Sequence, residues 1–378
     1  MNHAAARQSC LQSRLFQLAL VLCVGLLVAS LILFNPFAAC NCPVQSQQQQ
    51  QQQHTTVVPC EKVAPLPRVP LIASRAAKEQ ASRRWRESRP AGEQGVEPLQ
   101  QLLGQLAELD KVTNENDYRP VIDIGGNVGQ TSSRLMREIV RKRPDYFRLF
   151  TFEPMKAYDT IVARARQENW TSFVLFQCAV GIRPGSVTFY FDSDTSEQSS
   201  QDAEASGTAL HRRNVSIISM DQFLYDDGIP SGIVRTSANV SRDLMVNGTY
   251  GAHNIFFYKI DTEGYDMDVL HGSRRLLTSK RARFIEFEYN GKWFSVHRTR
   301  TLKQVAAELY DVFGYECYFI SAKYLHPIFG DWWRDEMEMR AWSNVLCGQR
   351  DDFYLHWIVR RFDHQDFKPL APIDYIQF

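Results

Sequence analysis

The chain has 378 residues, with 43 Lys and Arg side chains against 42 Asp and Glu side chains, and 12% of its residues are aromatic. This length allows one large domain or two small ones, and the aromatic content is typical of a packed domain. Contact with nucleic-acid phosphates needs a basic surplus, so the balanced charge argues against nucleic-acid binding. The eight cysteines are scattered and no pair has zinc-finger spacing, so we expect neither a disulfide scaffold nor a structural metal cluster.

The first apolar segment, Leu15–Phe34, contains no charged residue and is long enough to cross a membrane as a helix. Arg7 and Arg14 precede it, and no charged residue follows until Glu61. This asymmetry predicts a cytosolic tail (residues 1–14), a single-pass type II anchor (15–34) and a lumenal remainder in the endoplasmic reticulum or Golgi. A cleaved signal peptide is the alternative, although its apolar region usually spans only about 7–15 residues. Four N-glycosylation sequons fit a lumenal domain; they begin at Asn169, Asn214, Asn239 and Asn247.

Residues 35–95 are predicted to form a low-complexity stem. The run Gln47–Gln53 and the Pro-rich stretch Pro59–Pro70 lack the apolar residues that a core needs. The basic patch Arg83–Arg89 is interpreted as a solvated face. In an oxidising lumen the stem cysteines can link two chains into a dimer; these are Cys40, Cys42 and Cys60.

The globular domain is predicted to span residues 96–365, followed by a tail at 366–378. Helices are expected at residues 98–109, 131–142, 157–168, 267–277 and 302–312. Strands are expected at residues 121–124, 149–152, 173–180, 255–260, 284–287, 316–320 and 344–347, with 187–191 as a hairpin partner. This alternation predicts an α/β fold with a doubly wound, Rossmann-like, mostly parallel sheet. Two Ser- and Asp-rich or sequon-bearing stretches, 192–206 and 226–254, are expected to be loops.

A glycine-rich turn, Gly125–Gly129, follows the first expected strand and leads into a helix. Glycines let the backbone approach a ligand closely, and a helix N-terminus favours anionic groups. Asp123, next to the end of this strand, can hold a ligand's amino group directly or through water. Glu153, at the end of the next strand, can accept hydrogen bonds from both ribose hydroxyls. The alternative is that Asp123 caps the turn and Glu153 is a surface charge.

Two further acidic motifs follow later strands. Asp261 and Glu263 emerge after an apolar strand, where open sheets place their ligands, although Asp261 could simply cap the next helix. Glu286 and Glu288 alternate on one face of a strand and need partners or a wet cleft, unless that face is half exposed.

Four motifs together resemble FkbM-type S-adenosylmethionine (SAM)-dependent methyltransferases, and the resemblance extends from about Val121 to Cys347. The motifs are Asp123–Gly129, Phe152–Pro154, Lys259–Gly264 and Phe287–Glu288. The resemblance implies a class I methyltransferase fold, the cofactor SAM, and O-methylation of a hydroxyl on a glycan or another secretory-pathway metabolite. It also implies a set of cofactor-binding residues: Asp123, Gly125, Asn127, Gly129, Glu153 and, near the adenine, Ala179.

Methyl transfer to a hydroxyl requires removal of a proton, so a carboxylate or histidine should assist. Glu263 is the first candidate base, because it follows the strand near the expected methyl position. Asp261 is expected to position the acceptor or the cofactor amine, and Glu288 is the reserve base. His271 and His297 are weaker candidates.

Two other functions fit parts of the sequence. An anchor, a stem and sequons also describe Golgi glycosyltransferases, and Asp192-Ser193-Asp194 resembles a metal- and nucleotide-binding acidic pair. That function leaves Asp123–Gly129 and Lys259–Gly264 unexplained. The third alternative is a catalytically silent binding domain.

Overall fold

The computed structural model describes residues 73–110, 118–191, 211–225, 234–235, 254–296 and 300–368. Among these residues no helix has the length and apolar character needed to cross a membrane. Several predictions lie outside the described residues: the anchor at 15–34, the stem cysteines, the acidic pair at 192–194, the sequons at Asn239 and Asn247, and His297.

Two sheets are formed within the described ranges, one of nine strands and one of three. In chain order the strands are β1 (Arg119–Ile124), β2 (Phe147–Phe152), β3 (Phe173–Phe176), β4 (Ala179–Val180), β5 (Gly185–Phe191), β6 (His211–Ile218), β7 (Val234–Arg235), β8 (Ile255–Ile260), β9 (Ala282–Tyr289), β10 (Tyr315–Ile320), β11 (Leu325–Pro327) and β12 (Ser343–Gln349). The helices are α1 (Arg75–Glu87), α2 (Val96–Leu109), α3 (Gln130–Glu138), α4 (Ala157–Gln167), α5 (Met220–Tyr225), α6 (Asp266–His271), α7 (Arg274–Thr278), α8 (Lys292–Val296), α9 (Leu302–Asp311) and α10 (Phe353–Asp363).

The large sheet has the order β11-β10-β12-β9-β8-β1-β2-β3-β7. Its centre, from β3 to β9, is parallel, and β7, β11 and β12 run antiparallel to their neighbours. The α/β fold is therefore confirmed, while the sheet is parallel in its centre and mixed at its edges. The strand order reverses between β1 and β8, and open α/β sheets bind ligands outside the carboxyl ends of the strands at such a point.

Two apolar layers cover the faces of this sheet. Leu103 of α2, Leu135 of α3 and Ile358 of α10 belong to one buried cluster, whereas Phe223 of α5 and Leu309 of α9 belong to the other. Because helices cover both faces, the central strands are mostly apolar on both of their faces instead of alternating. Polar groups on these strands are therefore exceptions that need a separate explanation.

The folded part of the chain begins earlier than the predicted boundary at Val96. Helix α1 lies in the segment assigned to the stem, and Ser74 caps it by accepting a hydrogen bond from the Ala77 amide at 3.2 Å. Trp85 of this helix is 1% exposed and contacts Phe319 of β10, with ring centroids 5.9 Å apart. The stem prediction is therefore wrong over residues 75–95. The helix is not apparent from the sequence because it buries one aromatic side chain among several arginines, so its sequence shows no apolar periodicity.

Three predicted elements differ in detail from the structure. The expected strand at 173–180 is divided into β3 and β4, and β4 belongs to the small sheet β4-β6-β5. The expected helix at 267–277 is divided into α6 and α7 at Gly272, where a Cβ atom would lie 2.0 Å from the Gly181 carbonyl oxygen. The helix expected at 131–142 ends at Glu138 and continues as a 3-10 turn at Val140–Lys142.

A disulfide joins Cys317 of β10 to Cys347 of β12. The two residues are direct partners in the antiparallel pairing of these strands, and their Cα atoms are 4.1 Å apart. The sequence analysis did not predict this bond, because 30 residues separate the two cysteines along the chain.

Candidate active site

A cavity of about 1030 Å³ opens at the carboxyl ends of the central strands. Its first half follows β1, β2 and the small sheet; residues that line it include Gly125, Gly126, Asn127, Val128, Glu153, Met155, Cys178, Ala179, Val180 and Phe189. Its second half follows β8 and β9; residues that line it include Asp261, Thr262, Glu263, Glu288, Asn290, Gly291, Lys292, Ser295 and Trp342. Glu93 also lines the cavity and is ion-paired with Arg134 of α3. The cavity thus lies at the point of strand reversal and brings together motifs that are far apart in sequence.

The glycine turn after β1 forms part of the cavity wall. Gly125 has a φ of +84°, and a Cβ atom there would lie 1.8 Å from the Asp261 carbonyl oxygen. A Cβ atom on Gly126 would lie 2.3 Å from the Thr151 side chain. Only glycine fits such close approaches. Gly129, with a φ of +81°, precedes the first residue of α3 and is not among the lining residues.

Glu153 is held at the end of β2 by two backbone amides. Asn127 donates to its Oε2 at 2.7 Å and Met155 donates to its Oε1 at 2.8 Å. The residue is 5% exposed, and burial raises the pKa of its carboxyl to about 7 although both hydrogen bonds act in the opposite direction. Each carboxylate oxygen has a further lone pair for a ligand hydroxyl, because an ionised carboxylate has about four acceptor positions.

Asp123 lies beneath the glycine turn and is not among the residues that line the cavity. It is 1% exposed, and Ser132 donates a hydrogen bond to its Oδ2 at 2.5 Å. Burial raises the pKa of Asp123 to about 6. This position favours the interpretation in which Asp123 supports the turn and the start of α3, over direct contact with a ligand amine.

The ends of β8 and β9 carry a cluster of charged groups. Lys259, with a side chain that is 4% exposed, lies 3.3 Å from Asp261 Oδ2 and 3.7 Å from Glu286 Oε1. Burial acts against the charged form, but the carboxylates of Asp261, Glu286 and Glu288 raise the pKa of Lys259. Asp261 itself is 35% exposed on its side chain and lines the cavity. The carboxylate of Asp261 therefore faces the cavity, whereas the ammonium group of Lys259 is buried behind it.

Glu288 shares a hydrogen bond with Asp261. Burial raises the pKa of Glu288 to about 10, and the charge of Asp261 adds to this effect. Burial alone would raise the pKa of Asp261, but Lys259 and the hydrogen bond from Glu288 lower it. The opposite directions of these two shifts favour the proton on Glu288 and the negative charge on Asp261.

Glu263 forms an ion pair with Lys292, the first residue of α8. Both side chains line the cavity and are about one-third exposed, at 30% and 31%. Glu263 has a φ of +56°, and the following Gly264 has a φ of +103°. A Cβ atom on Gly264 would lie 3.0 Å from the Lys292 Cβ, so the turn after β8 packs directly on the start of α8. The pair places a carboxylate and an ammonium group side by side at the cavity.

The remaining candidates have separate positions. Ala179 lines the cavity beside the buried thiol of Cys178, whereas His271 is not among the lining residues and lies 3.5 Å from Glu308. No group of three or more His, Cys, Asp or Glu side chains in the described ranges is arranged to hold a metal ion. The lining residues that could not be predicted from sequence include Glu93, Lys292 and Trp342, whose segments carry no recognisable motif.

The family comparison agrees with this site. Residues 123–315 match the Methyltransferase FkbM domain, which covers just over half of the chain. The chain belongs to the FkbM methyltransferase family, and its fold carries a methyltransferase domain. No curated protein and no solved structure matches the chain significantly.

Proposed function

We propose that the chain is a SAM-dependent O-methyltransferase acting on a hydroxyl of a glycan or another secretory-pathway metabolite. The observation that carries the proposal is Glu153, whose two oxygens are fixed by the amides of Asn127 and Met155 on the cavity wall. A fixed pair of acceptor oxygens beside a glycine turn fits the two ribose hydroxyls of a nucleoside. Ala179 and its apolar neighbours in the same half of the cavity fit an adenine ring.

SAM supplies an electrophilic methyl group and a good leaving group, so the protein must align the acceptor and accept its proton. Glu263 is the base in this proposal, because its carboxylate lines the cavity and is partly exposed. The raised pKa of Glu288 favours its protonated form, which has no free proton-accepting charge, so Glu288 is the reserve base. Asp261 accepts hydrogen bonds from Lys259 and Glu288, and we assign it the role of positioning the acceptor or the cofactor amine.

We also propose that the domain is lumenal and anchored through residues 15–34. The Cys317–Cys347 disulfide supports this location, because such bonds persist in oxidising compartments. Asn169 is exposed at the end of α4 and accessible to glycosylation. Asn214 is also exposed, although its Oδ1 accepts a hydrogen bond from Thr188 at 2.7 Å within the small sheet.

The test of this function is methyl transfer from isotopically labelled SAM to glycan and metabolite fractions, compared between cells with and without the protein. A labelled, alkali-stable methyl ether that depends on the protein supports the proposal. SAM binding without any protein-dependent product would favour the catalytically silent alternative, and binding of a UDP-sugar in place of SAM would favour a glycosyltransferase.

A further inference from the structure

The second half of the cavity is built partly by residues outside the family-matched segment. Trp342 immediately precedes β12, and Glu93 lies in the segment between α1 and α2. Both line the cavity, yet both lie outside residues 123–315. The first half, with Glu153 and the glycine turn, lies wholly inside that segment. Trp342 and Glu93 therefore extend the cavity wall beyond the family-matched segment, and Glu93 is ion-paired with Arg134 of α3, with Glu93 Oε2 2.7 Å from Arg134 Nη1.

Trp342 is fixed by contacts with the Gly92 backbone and remains partly exposed. Gly92 donates from its amide to the Trp342 carbonyl oxygen at 2.6 Å, and Asn344 donates to the Gly92 carbonyl oxygen at 3.1 Å. A Cβ atom on Gly92 would lie 3.3 Å from two atoms of the indole ring, so the glycine backbone packs against that ring. The side chain is nevertheless 53% exposed. A partly exposed tryptophan whose ring packs against the protein backbone offers a rigid apolar face to a ligand in the cavity.

Polar and charged groups surround this aromatic face. Glu263 and Lys292 contribute an ion pair, and Ser295 adds a hydroxyl to the same half. The Asn290 amide supports this wall by donating to Glu288 and accepting from the Lys292 amide. A purely apolar acceptor would remove water from these groups without replacing their hydrogen bonds, which is costly. A pyranose ring meets both demands, because one face carries C–H groups and its rim carries hydroxyls.

We propose that Trp342, supported by the Gly92 backbone, forms an acceptor subsite that takes a pyranose ring of a glycan, with the ring stacked on the indole and its hydroxyls directed to the polar groups of the second half. This inference rests on the proposed methyltransferase function for its role, but ring binding can be measured without methyl transfer. It makes Trp342 a specificity-determining residue and assigns a role to the segment between α1 and α2, which the sequence analysis placed in the stem.

The experiment uses the full chain in mild detergent and a panel of methyl pyranosides of mannose, galactose, glucose and N-acetylglucosamine, with sorbitol and catechol as non-pyranose probes. Saturation-transfer NMR should show at least one pyranoside bound through the C–H groups of one ring face. Trp342→Ala should weaken that binding by about tenfold. Trp342→Phe should weaken it less, and Val312→Ala, which removes an exposed apolar side chain on another surface, should leave it unchanged.

Binding of SAM is measured on the same variants to separate the two proposals. Trp342→Ala should bind SAM as the parent does, because the indole is in the other half of the cavity. If no pyranoside binds the parent at its solubility limit, or if Trp342→Ala binds it equally well, the acceptor subsite is refuted. If the parent fails to bind SAM, the proposed function fails, whereas the pyranoside result still decides the subsite.

Discussion

The carboxyl group of Glu288 donates a hydrogen bond to the carboxylate of Asp261, so two acids at neighbouring strand ends share one proton. Lys259 completes the group at 3.3 Å from Asp261. This arrangement gives the two acids different roles: Glu288 is neutral and structural, and Asp261 is charged and accessible to the cavity. It also explains how several acids can lie together in a sheet that is otherwise apolar.

The first prediction compares the effects of substituting Asp261 and Glu288 on the free energy of unfolding. Asp261→Asn removes the charge beside Lys259 and should lower the free energy of unfolding by about 1–3 kcal/mol. Glu288→Gln should lower it less, because the glutamine amide still donates to Asp261 and no charge is lost. Urea unfolding followed by tryptophan fluorescence measures both. Equal losses, or a larger loss for Glu288→Gln, would show that the proton is not on Glu288.

The second prediction concerns the base. Glu263→Gln removes the proton acceptor and should lower single-turnover methyl transfer by about 10²–10⁴-fold, while SAM affinity stays nearly unchanged. Glu288→Gln is the matched control, since it changes a carboxyl group of the same cavity that is already protonated. If Glu288→Gln abolishes transfer and Glu263→Gln does not, the base is on β9 and the assignment of Glu263 is wrong.

Site residues could be predicted from the sequence where they follow an apolar strand closely, and could not be predicted elsewhere. Glu153, Asp261 and Glu263 directly follow such strands, so their location at the sheet edge could be predicted. Lys292 begins a five-residue helix and Trp342 precedes an edge strand. Neither location is encoded by local periodicity, because long-range packing determines both.

The fold also divides into features that local sequence patterns predict and features that long-range contacts determine. The alternation of strands and helices predicted the parallel centre of the sheet, since the buried strands are mostly apolar and are separated by helical segments. Helix α1 and the pairing of Cys317 with Cys347 depend on contacts between distant parts of the chain. These contacts leave no short-range pattern in the sequence.

The third prediction is a pH dependence of SAM binding. Burial raises the pKa of Glu153 to about 7, so its carboxyl is partly protonated near neutral pH. Ribose hydroxyls that donate to the charged form lower its pKa in the complex, and binding therefore releases a proton. Affinity should rise between about pH 6 and 8 and then level off. Calorimetry across this range measures the effect, with Glu153→Gln as the control that also corrects for titration of the ligand amine. An identical profile for parent and Glu153→Gln would refute the role of Glu153.

The fourth prediction concerns the disulfide. Replacement of Cys317 and Cys347 together by serine should lower the free energy of unfolding by about 3–4 kcal/mol, as expected for a closed loop of this length. Equilibrium unfolding of the parent and the double variant measures the loss. Alkylation of intact protein followed by mass spectrometry provides the control, because both thiols should resist labelling until a reductant is added. Labelling of both thiols in the untreated protein would contradict the bond.

The most direct test of the account is calorimetric titration of the full chain with SAM. The parent should bind SAM, and Glu153→Ala should bind it at least about tenfold more weakly, because a hydrogen bond to a charged group contributes about 1.5–3 kcal/mol. Glu79→Ala, which removes an exposed glutamate of α1, should bind SAM as the parent does. If folded Glu153→Ala binds SAM as tightly as the parent, the cofactor is not held by Glu153 at the end of β2.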